Sequence, residues 1–237
     1  MSIIAEAVTG NLSSIKKLDL TQTCITAESF RSLLISMRSN HKLKTLIVDK
    51  NNLGTNHAFT PISYVITAGT TLKVLSAANC NLSDYFGVTF AEAMKTNRAM
   101  TKFNFYGNMM TCRTLSLLAS SMLESPAKLI EFNMGKNQLK DKSGVKLGET
   151  LRHNDTLVKI NLSDNNLTDE TALAINKSLP MTRTLTEVNL SMNLINLRVL
   201  ELIGASLAKT REVKVASELP NLVKQKQQFV GDRTTAR

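Results

Sequence analysis

Catalysis at neutral pH usually draws on histidine, cysteine or paired carboxylates. This 237-residue chain has three histidines, His41, His57 and His153, and three cysteines, Cys24, Cys80 and Cys112. No Ser, Cys or carboxylate recurs beside a histidine as a nucleophile and its base would. There is no glycine-rich phosphate loop, no HExxH and no CxxC. The regular spacing belongs to asparagine instead: Asn104, Asn133, Asn161 and Asn189 follow at intervals of 29, 28 and 28 residues. Two positions before each stand Lys102, Glu131, Lys159 and Glu187, and Tyr106 lies two after Asn104. An amide offers two N–H donors and one acceptor, a lysine a point charge, and a tyrosine a broad anchor of the kind that dominates interfaces. That is the chemistry of recognition. The expected protein-binding residues are Lys102, Asn104, Tyr106, Asn133, Lys159, Asn161 and Asn189. No enzyme activity, cofactor, metal or small-molecule substrate is expected.

The elements that position these residues show in "LVKINLSDNNLTDETALAINKSL", residues 157–179. Leu157, Ile160, Leu162, Asn165 and Leu167 spell L-x-x-L-x-L-x-x-N-x-L. The pattern returns with first residues 15, 43, 72, 100, 129, 157 and 185, seven copies in phase. Within a copy the first half alternates, so Ile160 and Leu162 face one side of a short strand and Asn161 the other. The position of Asn165 faces inward at the turn, where an amide can satisfy backbone groups that lack a ladder partner. Cys80 and Thr23 take that position in two copies, and the Thr23 turn is expected to be less well tied. The second half turns helical, with apolar residues such as Leu115, Leu118 and Met122 on one face. Thr26, Ser83 and Thr168 or Asp169 read as N-caps. Asn40, Asn97 and Asn154 are expected to close helices in the left-handed conformation, and Pro61 to shorten the helix of the second copy.

One strand and one helix cannot bury their apolar faces alone, but stacked copies can. Strands stack at about 4.8 Å and helices at about 8–10 Å, so the array must bend. The expected fold is α/β: a leucine-rich repeat solenoid, a horseshoe with a parallel β-sheet on the concave face and α-helices on the convex face. The repeat resembles the ribonuclease-inhibitor-like class of leucine-rich repeat proteins over nearly the whole chain. That class includes nucleotide-binding immune receptors, tropomodulin and related actin regulators, and leucine-rich subunits of the axonemal nexin–dynein regulatory complex. Short, insertion-free repeats and a basic tail are nearest in style to the cytoskeletal members.

The expected organisation is a partial repeat or N-terminal cap helix at 1–14, seven repeats at 15–212, a degenerate C-terminal cap at 213–223 and a basic polar tail at 224–237. No apolar run is long enough for a membrane span. The odd cysteine count and the absence of a secretion signal point to reduced thiols and a cytoplasmic location. The acceptor sequences at Asn161, Asn166 and Asn189 agree, because a glycan on a strand would obstruct the sheet. Net charge is +10, and residues 209–237 hold seven Lys or Arg against three Asp or Glu. The rest of the charge looks dispersed over helix surfaces and turns. Nucleic acid is disfavoured, since no aromatic–basic interleaving marks the concave columns. The expectation is therefore a protein–protein interaction module or scaffold in a cytoskeletal assembly (axonemal, microtubule or actin), its partner presenting an acidic surface. The alternative is a regulator of a small GTPase or other enzyme, resembling the GTPase-activating proteins for Ran, whose loop insertions this chain lacks.

Overall fold

The computed structural model describes residues 15–37, 42–54, 62, 66, 71–125 and 127–210. The segments 1–14, 213–223 and 224–237, and Asn40, His41, His57 and Pro61, lie outside the described residues. Seven strands form one parallel sheet in chain order: β1 (Lys17–Asp19), β2 (Thr45–Ile47), β3 (Val74–Ser76), β4 (Lys102–Asn104), β5 (Glu131–Asn133), β6 (Lys159–Asn161) and β7 (Glu187–Asn189). The pairing register is the sequence repeat itself. Leu18, Leu46, Leu75, Phe103, Phe132, Ile160 and Val188 lie side by side across the sheet. The helices are α1 (Ala27–Ser36), α2 (Asp84–Met94), α3 (Cys112–Glu124), α4 (Asp141–Leu151), α5 (Asp169–Ser178) and α6 (Leu197–Thr210). In the second copy, Ile62 and Ile66 are helical and buried. The chain is the expected α/β leucine-rich repeat solenoid, with the sheet on the concave face and the helices on the convex face.

The core lies between the two layers. Leu157, Ile160, Leu162 and Leu167 are all buried, as are their counterparts in the inner copies. Phenylalanine fills the middle of the array. Phe90 meets Phe105 edge to face at 4.7 Å, and Phe103 stacks on Phe132 at 5.4 Å, arrangements favoured by the ring quadrupole.

The turn asparagines join one copy to the one before it. Asn165 Nδ2 donates to Leu162 O and Ser163 O of its own turn and to Met134 O of the preceding one, at 3.0–3.1 Å. Its Oδ1 accepts from Leu139 N at 3.0 Å. Asn51, Asn108, Asn137 and Asn193 repeat the arrangement. Cys80 replaces the amide with a thiol lying 3.2 Å from Val48 O, and burial pushes that thiol up to about 11, so it stays a neutral, weak donor. The Thr23 hydroxyl donates to Leu20 O of its own turn, and its N–H donates to Asn51 Oδ1 of the next copy at 3.2 Å.

A left-handed residue precedes each turn position, whether asparagine, Cys80 or Thr23 holds it. Gln22, Lys50, Asn79, Gly107, Lys136, Asp164 and Met192 all have φ between 51° and 69°. Left-handed backbone costs a non-glycine residue about 1–2 kcal/mol. Six of the seven accept that strain, which lets the chain reverse and present the next side chain inward.

Helix starts are tied across copies by a second device. Asp84 Oδ1 accepts from Thr111 N at 2.9 Å and from Thr114 Oγ1 at 2.6 Å. Asp141 does the same with Thr168 N at 2.9 Å and Thr171 Oγ1 at 2.6 Å. Gly87 and Gly144 leave room for Thr114 and Thr171, since a Cβ there would sit 2.2 and 2.1 Å from their hydroxyl oxygens. Burial acts to raise the pKa of Asp84 and of Asp141. The threonine hydrogen bonds outweigh it and hold both carboxyls below their ordinary value. Between these two boundaries the pattern lapses: Cys112 faces Lys140, whose N–H lies 3.2 Å from the thiol sulfur.

Thr26, Ser83 and Thr168 are N-caps as expected, and Thr111 is a further one; Lys140 caps α4 without a side-chain bond. Asn97 and Asn154 close their helices by a different route from the one expected. Neither has positive φ. Asn97 Oδ1 accepts from the N–H of Met100 at 2.7 Å and Asn154 Oδ1 from that of Leu157 at 2.9 Å. The short polar side chain substitutes for a backbone turn, as Asn often does.

Two outcomes follow. Leu162→Ala should destabilise the fold by about 2–5 kcal/mol and Asn165→Ala by about 1–3 kcal/mol; urea unfolding that left both at the wild-type midpoint would show this core and turn assignment to be wrong. The depressed carboxyls stabilise the fold fully above their ordinary pKa, and the contribution disappears as pH falls through the folded pKa. Asp84→Asn/Asp141→Asn should therefore melt lower at neutral pH yet lose less stability than wild type on acidification to about pH 3. Parallel acid profiles would contradict the depressed pKa.

Candidate functional site: the sheet face

The sheet brings all seven expected binding residues onto one face of β4–β7 and the turn after β4. Alternation along each three-residue strand buries its central side chain and turns its two flanking ones outward. Parallel register then sets Asn104, Asn133, Asn161 and Asn189 in one row and Lys102, Glu131, Lys159 and Glu187 in another. Neighbouring members of a row are separated by one strand spacing, about 4.8 Å.

Each asparagine of the row is locked by its own strand end. Asn133 Oδ1 accepts from Gly135 N at 3.0 Å, Asn161 Oδ1 from Ser163 N at 2.9 Å and Asn189 Oδ1 from Ser191 N at 3.0 Å. A backbone N–H can pair only with the carbonyl end of the amide, so the orientation of the side chain is determined. The Nδ2 groups of Asn133, Asn161 and Asn189 have no acceptor among the described residues. Three amide donors thus stand fixed in a line. Asn104 differs: its Oδ1 accepts from Tyr106 N at 3.2 Å, but its Nδ2 donates to Ser76 Oγ at 3.1 Å. Ser76 in turn donates to Asp49 at 2.6 Å. Asn104 belongs to an internal network more than to an open row.

The lysines are not free charges. Lys102 pairs with Glu131 and Lys159 with Glu187, each at 2.9 Å. The hydrogen bond that Lys159 donates to Glu187, and the charge of that carboxylate, raise the pKa of Lys159. Opposite charges on adjacent strands cancel, so this half of the sheet face has little net field. The column of residue types contained that pairing, but only the parallel register sets lysine against glutamate.

Tyr106 is half-buried. It lies beside Gly135, where a Cβ would come 2.9 Å from its Cδ2. The missing side chain at 135 makes the space that the ring occupies. Of the three histidines, His153 is described and is exposed. Among the described residues no group of His, Cys, Asp or Glu is arranged to hold a metal ion, and no helix is long and apolar enough to cross a membrane.

No family model matches the chain. Over 146 residues, 62% of its length, it is 25% identical to NACHT, LRR and PYD domains-containing protein 3 of Rattus norvegicus and 27% identical to that of Mus musculus. The match spans 14% of the length of these relatives. Among solved structures, the chain is similar to the tropomodulin C-terminal domain of Caenorhabditis elegans (13% identity, 88% of this chain and 92% of that one, TM-score 0.45). It is similar to actin-binding site 2 of leiomodin-1 (16% identity, 100% and 99% coverage, TM-score 0.39) and to an internalin of Listeria monocytogenes (20% identity, 90% and 63% coverage, TM-score 0.44). At TM-scores this low the likenesses say nothing of what the chain binds.

Proposed function

We propose that the chain is a non-catalytic protein–protein interaction module whose sheet face at β4–β7 docks a protein partner. The observation that carries this reading is the line of fixed amide donors on Asn133, Asn161 and Asn189. A donor row that needs no reordering favours a surface rich in carbonyl or carboxylate acceptors, because preorganisation lowers the entropy lost on binding. Tyr106 supplies the apolar anchor at one end of the row. The ion pairs of Lys102 and Lys159 set register against a partner more than they add affinity, since exposed pairs contribute about 0–1 kcal/mol.

The finer reading is a scaffold of a cytoskeletal assembly in the cytoplasm. It is supported by the net charge of +10, which suits the acidic surfaces of actin filaments and microtubules. Cosedimentation with each filament at low and at physiological salt tests it. Salt-sensitive pelleting with one of them is expected; none with either would exclude the cytoskeletal assignment. Once a partner is in hand, Tyr106→Ala should speed dissociation, since such an anchor contributes roughly 2 kcal/mol or more. Unchanged dissociation would remove the sheet face as the contact surface.

A further inference from the structure

The positive charge is less dispersed than the sequence suggests. Where the strands begin, at one edge of the sheet, each copy stacks directly on the last: Lys44 N donates to Lys16 O, Lys73 N to Lys44 O and Thr101 N to Lys73 O, all at 2.8 Å. Lys16, Lys44 and Lys73 are therefore adjacent like charges, each exposed. Arg98 and Lys128 join them from the loops before β4 and β5, and one groove is lined by Lys44, Thr71, Lys73, Arg98, Thr101 and Lys128. Asn97 holds the Arg98 loop: it is buried, donates to Ile66 O at 2.6 Å, and accepts from Met100 N at 2.7 Å.

The contrast with the neighbouring row is informative. On the sheet face, lysine alternates with glutamate and the charges pair. Along this edge, no carboxylate lies within 4.0 Å of Lys16, Lys44, Lys73, Arg98 or Lys128 among the described residues. Asp155 lines the next groove with Lys128 without reaching ion-pair distance. Like charges set opposite one another on adjacent strands destabilise a sheet. An anion brought from outside would relieve that repulsion.

The kind of anion follows from what the groove lacks. The N–H groups of Lys73, Val74, Thr101 and Lys102 are all spent on backbone carbonyls. The Thr71 and Thr101 hydroxyls donate to Leu43 O and Lys73 O. Along the strand starts the ladder leaves no N–H for a phosphate, which is usually held by several N–H groups and arginine forks together, and Arg98 is one fork beside three lysines in the lining. No aromatic side chain lines the groove, so a nucleic-acid strand has no stacking platform. What dominates is a column of lysine point charges, Lys16, Lys44 and Lys73, at strand spacing, one for each of several carboxylates. We propose that this strand-start edge of copies 1–5 is a second contact surface that takes an acidic polypeptide segment. The proposal rests on the protein-binding reading above and gives it the attraction that the neutralised sheet face cannot supply.

The test is fluorescence anisotropy of a labelled decaglutamate peptide with the full chain. Lys44→Gln/Lys73→Gln should weaken binding by about tenfold or more. Lys142→Gln/Lys177→Gln, on α4 and α5, removes the same charge and should leave binding within about twofold. Without peptide, Lys73→Gln should also melt higher than wild type, because it relieves repulsion, and it should lose part of the melting shift that the peptide induces. Equal weakening by the two double variants would reduce the effect to net charge and overturn the proposal. Absence of peptide binding, or tighter binding to duplex DNA or phosphatidylserine vesicles, would overturn it too. Tyr106→Ala should leave the peptide bound; if it alone abolished binding, the edge proposal would fail and the sheet-face reading would stand.

Discussion

The turn asparagine is satisfied only when two copies are stacked. Its amide donates to carbonyls of its own turn and to one in the preceding copy, and its oxygen accepts from an N–H of that preceding copy. An isolated copy would leave about half of those groups to water. Stability is therefore a property of boundaries between copies, as expected of a one-dimensional array. The left-handed residue before each asparagine is the cost of aiming the amide inward. Where Cys80 replaces the amide, a weak thiol donor spans the boundary, and the Thr23 hydroxyl makes only a local bond within its own turn.

The same boundaries fix the surfaces. Because the turns lock in register, residues at one repeat position become a column at strand spacing, and whatever the sequence places there is multiplied. Asparagine becomes a line of fixed donors. Alternating lysine and glutamate become a ladder of ion pairs with little field. Repeated lysine one residue earlier becomes an uncompensated positive edge. Recognition on such a scaffold needs no cleft, since the geometry is already set before a partner arrives. The Asp–Thr clamps at Asp84 and Asp141 do for the helix layer what the asparagines do for the strand layer, and they skip the boundary at Cys112.

Much of this was legible in the residues. The spacing of Leu157, Ile160, Leu162 and Asn165 placed the repeat register, with the strand Lys159–Asn161 around Ile160, because period-2 burial and the stacking of identical turns admit one register. The seven expected binding residues converge for the same reason. The left-handed column was hidden, since Gln22, Lys50, Lys136 and Met192 are of types with no preference for positive φ, and only Asn79, Gly107 and Asp164 favour it. The closure at Asn97 was misread, because Asn serves equally as a left-handed residue and as a side-chain cap. The charged edge was hidden for a different cause: Lys16, Lys44 and Lys73 are 28 and 29 residues apart in the sequence and become neighbours only when the copies stack. The partial loss of Asn104 to Ser76 depended on a neighbour 28 residues away.

The central claim is that each copy with a turn asparagine completes the hydrogen bonding of the one before it through that side chain. Native-state hydrogen exchange of the Leu139 and Leu167 amides, which donate to Asn165 and Asn193 at 3.0 and 3.1 Å, measures it most directly. The account predicts that both exchange as slowly as strand-ladder amides such as those of Lys159 and Leu162, and that Asn165→Ala releases Leu139 while leaving Leu167 protected. Exchange of Leu139 and Leu167 at the rate of exposed loop amides in the wild-type chain would contradict it.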